Sequence, residues 1–191
     1  MSRRRRAGSV ASLLLGVAAI LLLWNAEWQP DLLSPGESAP GFELPRLEDG
    51  SAMSLTDQRG KVVLLNFWAT WCKPCEDEMP AMQRLYEGLR DEGFELLAIS
   101  VDDGRAEVEA FQERLDLGFP ILLDPEKRVA GLYQSFRFPE SWLVDREGQL
   151  VARFVGPREW DDPMYVARIQ ALLRDDEGRA AGEPGGPDPA G

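Results

Sequence analysis

Trp71-Cys72-Lys73-Pro74-Cys75 carries both cysteines of this 191-residue chain. Two thiols separated by two residues can close a small ring and open it again, which is redox chemistry. The pair stands between a continuous apolar run, Lys61–Ala69, and a segment with helical period that begins at Pro74. Cys72 therefore falls at a helix N-terminus, where unpaired N–H groups and the helix dipole favour a thiolate and lower its pKa. It is the expected exposed attacker. Cys75, one turn inside the helix, is the expected shielded thiol that resolves a mixed disulfide. Lys73 adds positive charge nearby and is read as solvated. A purely structural staple closing so small a loop would constrain little of the unfolded chain. Zinc is excluded for want of ligands, because the chain has no histidine and no further cysteine. The same shortage excludes iron–sulfur clusters held by this chain alone, histidine-ligated metals and histidine-dependent triads. The chemistry thus calls for no cofactor and no metal beyond the Cys72–Cys75 pair itself.

The elements that must position this pair follow from periodicity. Phe42–Leu47 and Ser51–Leu55 alternate around Glu48-Asp49-Gly50, a hairpin signal. Lys61–Ala69 and Phe94–Val101 read as strands buried on both faces. Met79, Met82, Leu85, Tyr86 and Leu89 give Pro74–Leu89 a helical period that ends before Gly93, and Val108, Phe111 and Leu115 do the same for Ala106–Leu115. Ile121–Leu123 is a short strand. Ser141–Val144 and Leu150–Val155 flank a second hairpin turn, and Pro163–Leu173 closes with a helix. Strand–helix–strand–helix followed by an antiparallel hairpin predicts an α/β fold with a mixed central sheet.

The flanks are of a different kind. Arg3–Arg6 precede residues 7–26, which carry no charge and are long enough as a helix to cross a bilayer core. Residues 1–6 are expected to stay in the cytoplasm, residues 7–26 to form an uncleaved transmembrane signal anchor, and residues 27–35 to be a linker to an extracytoplasmic body. A cleaved signal peptide is the rival, although neither Ala19 nor Ala26 offers a good cleavage site. Residues 36–174 are the expected folded domain. Residues 175–191, rich in Gly, Pro and acidic residues without a large apolar one, are the expected disordered tail. Four of the 21 Lys and Arg residues stand in the N-terminal cluster, so the remaining 17 face 33 acidic residues. So acidic a body is unsuited to nucleic acid, which needs a basic face. Asp102 and Asp103, with Glu107, are read as caps of the following helix rather than as a calcium site.

Ala69-Thr70-Trp71-Cys72-Lys73-Pro74-Cys75, with the strand before it, resembles the thioredoxin fold. Gly36–Leu44, Glu76-Asp77-Glu78-Met79-Pro80 and Phe138-Pro139-Glu140-Ser141-Trp142-Leu143-Val144-Asp145 resemble more narrowly the membrane-anchored ResA/TlpA/CcmG (DsbE) type of thiol–disulfide oxidoreductase. The likeness covers about residues 36–174. It implies a thioredoxin-like domain with an added N-terminal β-hairpin, and makes Pro139 the cis-proline facing the active disulfide. Trp71, Pro74, Phe138 and Pro139 then line the substrate site, with Phe138 bulkier than the residue expected before this proline. The resemblance also gives Glu78 a part. It lies three residues beyond Cys75 on roughly the same helix face, and replaces the buried aspartate that many thioredoxins carry where this chain has Asn66. A partly buried carboxyl there would have a raised pKa and could take the proton that Cys75 must lose. The implied activity is protein-disulfide reduction in the periplasm by a domain tethered to the bacterial cytoplasmic membrane. The implied substrate is a disulfide-containing protein such as apocytochrome c during cytochrome c biogenesis, and the implied electron donor is an integral-membrane thiol protein. The competing readings are a disulfide-forming oxidase of the same fold, a copper-delivery or assembly module, and a peroxidase of the related peroxiredoxin group. The last is disfavoured by the lack of a Pro-x-x-x-Thr-x-x-Cys loop before Cys72.

Overall fold

Val62–Trp68 (β3) is buried at every position and occupies the middle of a five-stranded sheet ordered β5-β4-β3-β6-β7. Its neighbours are Phe94–Ser100 (β4), parallel to it, and Glu140–Val144 (β6), antiparallel to it. A strand flanked on both sides and covered on both faces has no solvent-facing residues, which is why its sequence is continuously apolar rather than alternating. Ile121–Leu123 (β5) extends the parallel side, and Leu150–Val155 (β7) forms the antiparallel edge. The result is the mixed-sheet α/β architecture that the resemblance implies. The computed structural model describes residues 32–180. The expected cytoplasmic N-terminus and membrane anchor (1–6 and 7–26) and the tail beyond residue 180 lie outside the described residues. Among the described residues no helix is long and apolar enough to cross a membrane.

Contacts separate the two faces of the sheet. Asn66 of β3, its register partner Ser141 of β6 and Phe154 of β7 look toward helix Lys73–Leu89 (α1) and the loop that leads into helix Pro163–Ala180 (α4). Trp68, on the same face, packs its ring on Phe111 of helix Arg105–Leu115 (α2). The opposite face presents Phe67 and Trp142 to Tyr133, whose hydroxyl donates to the Pro40 carbonyl at 2.7 Å. The N-terminal segment runs across that face. Ser38 bridges to Gln149 at one edge and Arg46 to Leu122 at the other, with the hairpin Glu43–Pro45 (β1) and Ala52–Ser54 (β2) between them. Phe42, Leu44 and Leu47 are thereby buried. Gly93 ends the turn after α1 with φ +94°, a left-handed conformation open to glycine at no steric cost.

Two elements depart from expectation. Arg128–Leu132 (α3) is a helix of five residues, too short to display a 3.6-residue period in sequence. Its cap is legible in space, since the Asp124 carboxylate accepts the N–H groups of Arg128, Val129 and Ala130 at 2.8–3.0 Å. The second departure is the length of the last helix, expected to end at Leu173. Helix α4 continues to Ala180. Residues 175–180 carry no large apolar side chain, and that lack is what suggested disorder. A nucleated helix nevertheless adds one backbone bond per residue without needing burial.

Candidate active site

Strands β3 and β4 run in register, Trp68 opposite Ser100, so residues two steps beyond each strand are neighbours. There the Asp102 carboxylate accepts the Thr70 N–H at 2.9 Å, the Thr70 hydroxyl at 2.7 Å and the Ser100 hydroxyl at 2.9 Å. This corrects the expected capping role of Asp102. The N-cap of α2 is Gly104, without a side-chain cap, and the acid turns sideways to pin the turn that leads to the cysteines. The chain then folds back, with the Cys72 N–H donating to the Ala69 carbonyl at 3.1 Å. Cys72 is the extended N-cap of α1, and its carbonyl accepts the N–H groups of Cys75 and Glu76 at 3.0 and 3.2 Å. Pro74, exposed in the first turn, forfeits no helical bond there.

Cys72 and Cys75 are joined as a disulfide, with Cα atoms 5.3 Å apart. Cys75 is sealed at 0% exposure, while Cys72 keeps 6%. The attacker is thus less open than expected, although it is the more accessible of the two. Exposure is concentrated instead on Trp71, the residue before it, at 69%, and on Phe136, in the loop before Pro139, at 70%. Lys73 is not simply solvated. Its ammonium reaches Asp77 at 2.7 Å and Glu76 at 3.4 Å, and Arg114 takes the other side of Glu76 at 3.1–3.2 Å. The hydrogen bond to Asp77 raises the lysine pKa.

Glu78 is 3% exposed and held on both oxygens. Asn66 Nδ2 donates to Oε1 at 2.8 Å, and the Arg158 amide and Trp160 Nε1 donate to Oε2 at 3.0 and 3.1 Å. Burial pushes its pKa up from 4.5 to about 7, against the lowering pull of those three donors. The carboxyl borders a cavity of about 210 Å³ lined by Asp77, Pro157, Arg158 and Glu159. A second cavity, of about 150 Å³, lies near the opposite end of β3 beside Arg59 and Asp145, away from the cysteines.

The Phe138–Pro139 peptide is cis, the isomer that the resemblance implies. The Trp71 and Phe138 rings meet edge-on with centroids 6.2 Å apart, which brings this loop to the cysteine turn. Glu140, almost wholly buried, accepts the Phe136 N–H at 2.9 Å and pairs with Arg153 at 3.2 Å, so the loop is held from beneath. The Pro139 carbonyl accepts the Gly156 N–H.

Residues 35–153 match the model of the AhpC/TSA family. The chain belongs to that family. Within it, this chain is 39% identical over 150 residues to the thiol–disulfide oxidoreductase ResA of Geobacillus thermodenitrificans, covering 78% of this chain and 86% of that one. It is 40% identical over 121 residues to ResA of Bacillus cereus, covering 63% and 69%. The thioredoxin domain of a thiol–disulfide oxidoreductase from Bacteroides vulgatus superposes with a TM-score of 0.65 at 28% identity, covering 73% of this chain and 99% of that one. The chain is accordingly a thiol–disulfide oxidoreductase of the ResA/TlpA/CcmG type with a thioredoxin-like fold.

Most expected site residues of this oxidoreductase gather in one place: Cys72, Cys75 and Glu78 on the first turns of α1, and Trp71 against Phe138 beside Pro139. Four residues joined to the site were not among its expected residues. Asp102 was misassigned to a cap, Glu140 was legible only as part of a motif, and Arg158 and Trp160 stand 80 and 82 residues from Glu78 in the chain. Only the packing of α4 and its leading loop over β6 and β7 brings the last two back to α1.

Proposed function

We propose that this chain works outside the cytoplasm as a membrane-tethered protein-disulfide reductase, with substrates such as the disulfide of apocytochrome c. In the reduced protein the Cys72 thiolate attacks one sulfur of a substrate disulfide. A Cys72–substrate bond forms, and the first substrate sulfur leaves and takes a proton. Cys75 passes its proton to Glu78 and attacks Cys72, releasing the second substrate sulfur and closing Cys72–Cys75. The substrate has gained two electrons, which must be restored by a thiol donor of the membrane. The anchor and the extracytoplasmic side rest on Arg3–Arg6 and the uncharged run 7–26, and the apocytochrome substrate on the resemblance of the sequence to this family.

The observation that favours reduction over oxidation is electrostatic. A strong oxidant stabilises its attacking thiolate heavily. Here Lys73 is paired with Asp77 and Glu76, and buried Glu78, three residues beyond Cys75, opposes a further negative charge when ionised. The N-terminus of α1 favours the Cys72 thiolate. The expected reduction potential therefore lies near the thioredoxin value of about −270 mV, not near the roughly −120 mV of a strong oxidant. Equilibration with glutathione or dithiothreitol measures it, and a value at the oxidising end would reverse the assigned direction. Trapping with Cys75→Ser identifies the substrate. A trap holding only proteins without haem-attachment motifs would remove the cytochrome assignment and leave the reductase.

A further inference from the structure

The loop Gly156–Asp162, between β7 and α4, contains none of the motifs that carry the family resemblance of the sequence, yet it supplies two of the three donors on Glu78. It is firmly held. Gly156 donates to the Pro139 carbonyl, Arg84 of α1 reaches Asp161 at 2.6 Å, and Asp162 caps α4 through the Met164 N–H at 2.8 Å. The Trp160 ring is buried and locked between Phe154 and Tyr165, each with its centroid 5.2 Å away. The indole cannot swing off Glu78 without opening this aromatic cluster. Phenylalanine would keep an aromatic ring in this cluster, at the cost of a small cavity, while removing the N–H.

We propose that Trp160 is a positioning residue for Glu78: its indole N–H, with the Arg158 amide, holds Oε2 of the ionised carboxyl and sets the pH at which Glu78 releases and regains its proton. Because Oε2 already faces two N–H donors, an incoming proton is taken at Oε1. That oxygen faces the Asn66 amide, whose own Oδ1 is buried without a hydrogen-bond partner. Turning the Asn66 amide over presents this acceptor to the new O–H. The two sides of the carboxyl thus divide the work, Trp160 favouring the anion and Asn66 able to serve either form. Among the described residues, the charged groups facing Glu78 are Arg158 and Glu159 of the loop and Asp77 of its own helix. The Arg158 guanidinium is turned to the carbonyls of Val155, Gly156 and Pro157. Strands β3 and β6 offer only the neutral Asn66 and Ser141. A neutral donor at Oε2 therefore has weight in the balance.

The functional consequence rests on the reading of Glu78 as the proton partner of Cys75, so the test separates the two. In the oxidised full chain, the Glu78 carboxyl is followed by infrared titration, its band identified by its loss in Glu78→Gln. Trp160→Phe should move the midpoint alkaline by about one pH unit, the size expected for losing one hydrogen bond to a charged group. An unmoved midpoint overturns the proposal. In the unmutated protein the Trp160 indole N–H resonance should shift with the same midpoint as the carboxyl band, and a resonance flat across that range overturns it without any variant. In disulfide exchange, Trp160→Phe should move the acid limb alkaline by the same amount, about a tenfold loss at fixed acid pH, and should have no such effect in a Glu78→Gln background. A moved carboxyl midpoint with an unmoved exchange profile supports the Trp160 contact and refutes the part given to Glu78 in exchange.

Discussion

The disulfide has an outward half and an inward half, and they are built on opposite principles. Outward, Trp71 and Phe138 stand on loops and meet edge-on, with Trp71 largely in solvent. Inward, Cys75, Glu78, Asn66 and Trp160 come from α1, β3 and the loop before α4, all buried and mutually hydrogen-bonded or sealed. Side chains that must meet a large partner are kept out of the core, where their loss costs the fold little. Groups that must hold a proton need low dielectric and fixed donors, so they are drawn from several elements and become part of the core.

The largest effects should come from dividing the two sulfurs. Cys75→Ser leaves the outward attacker intact, so the mixed disulfide should accumulate while turnover falls to background. Cys72→Ser should give neither product nor adduct, since the remaining thiol is sealed. An adduct of equal yield on Cys75 in the second variant, read by mass spectrometry, would erase the distinction between the halves.

The inward half should next reveal itself in stability. The folded pKa of Glu78, about 7, lies above its ordinary value of 4.5, so the folded state binds this proton more tightly than the unfolded chain. The associated stability is full below about pH 4.5 and is lost as pH rises through about 7, a loss of roughly 3 kcal/mol. Glu78→Gln removes that slope, and the turned-over Asn66 amide can pair with the new side chain. Urea unfolding of both proteins between pH 4 and pH 8 should therefore show the unmutated chain falling relative to the variant, and parallel curves would refute the burial argument. At pH 7 and above the same variant should slow disulfide exchange by about a hundredfold, the lower range for losing a general base.

These residues also mark how far the sequence could be read. Strands buried on both faces and helices of three or more turns announce themselves by local period, so β3, β4, α1 and α2 were legible to within a residue or two. Cys72 and Cys75 share one short stretch and were legible with them, while Glu78 and the cis Pro139 needed the family resemblance. Trp160 was not, because its meaning lies in a contact made across 82 residues, and a tryptophan near a helix start looks like any core aromatic. Asp102 was read wrongly because an acid before a helix satisfies the capping pattern whether or not it caps. In space it serves the neighbouring strand's turn.

That turn joins the two halves, and Asp102 supplies the next test. Asp102→Ala strands the Thr70 N–H and hydroxyl in a partly buried site, a cost of about 2 kcal/mol for donors left unsatisfied. Thermal unfolding should register the loss, and exchange should slow because Cys72 follows Thr70 by two residues. A variant that melts with the unmutated protein would mean that the turn is held by the strand ends alone.

The smallest effect on the fold, and the sharpest test of the outward half, is Trp71→Ala. A side chain this exposed contributes within about 0.5 kcal/mol to stability, so the melting temperature should barely move. Among the described residues its one aromatic partner is Phe138, which stands beside the cis-proline, and under the proposed function this ring pair is the wall that the substrate meets. Removing an aromatic anchor from such a contact weakens binding by about 1–2 kcal/mol, or roughly tenfold in KM for a protein disulfide. The midpoint of the acid limb should stay where it is, because nothing around Glu78 has changed. Glu78→Gln and Trp160→Phe predict the converse, a moved pH profile with KM nearly constant. If Trp71→Ala instead shifts the pH profile, the aromatic wall reaches the buried carboxyl, and recognition and proton transfer share one structure rather than two.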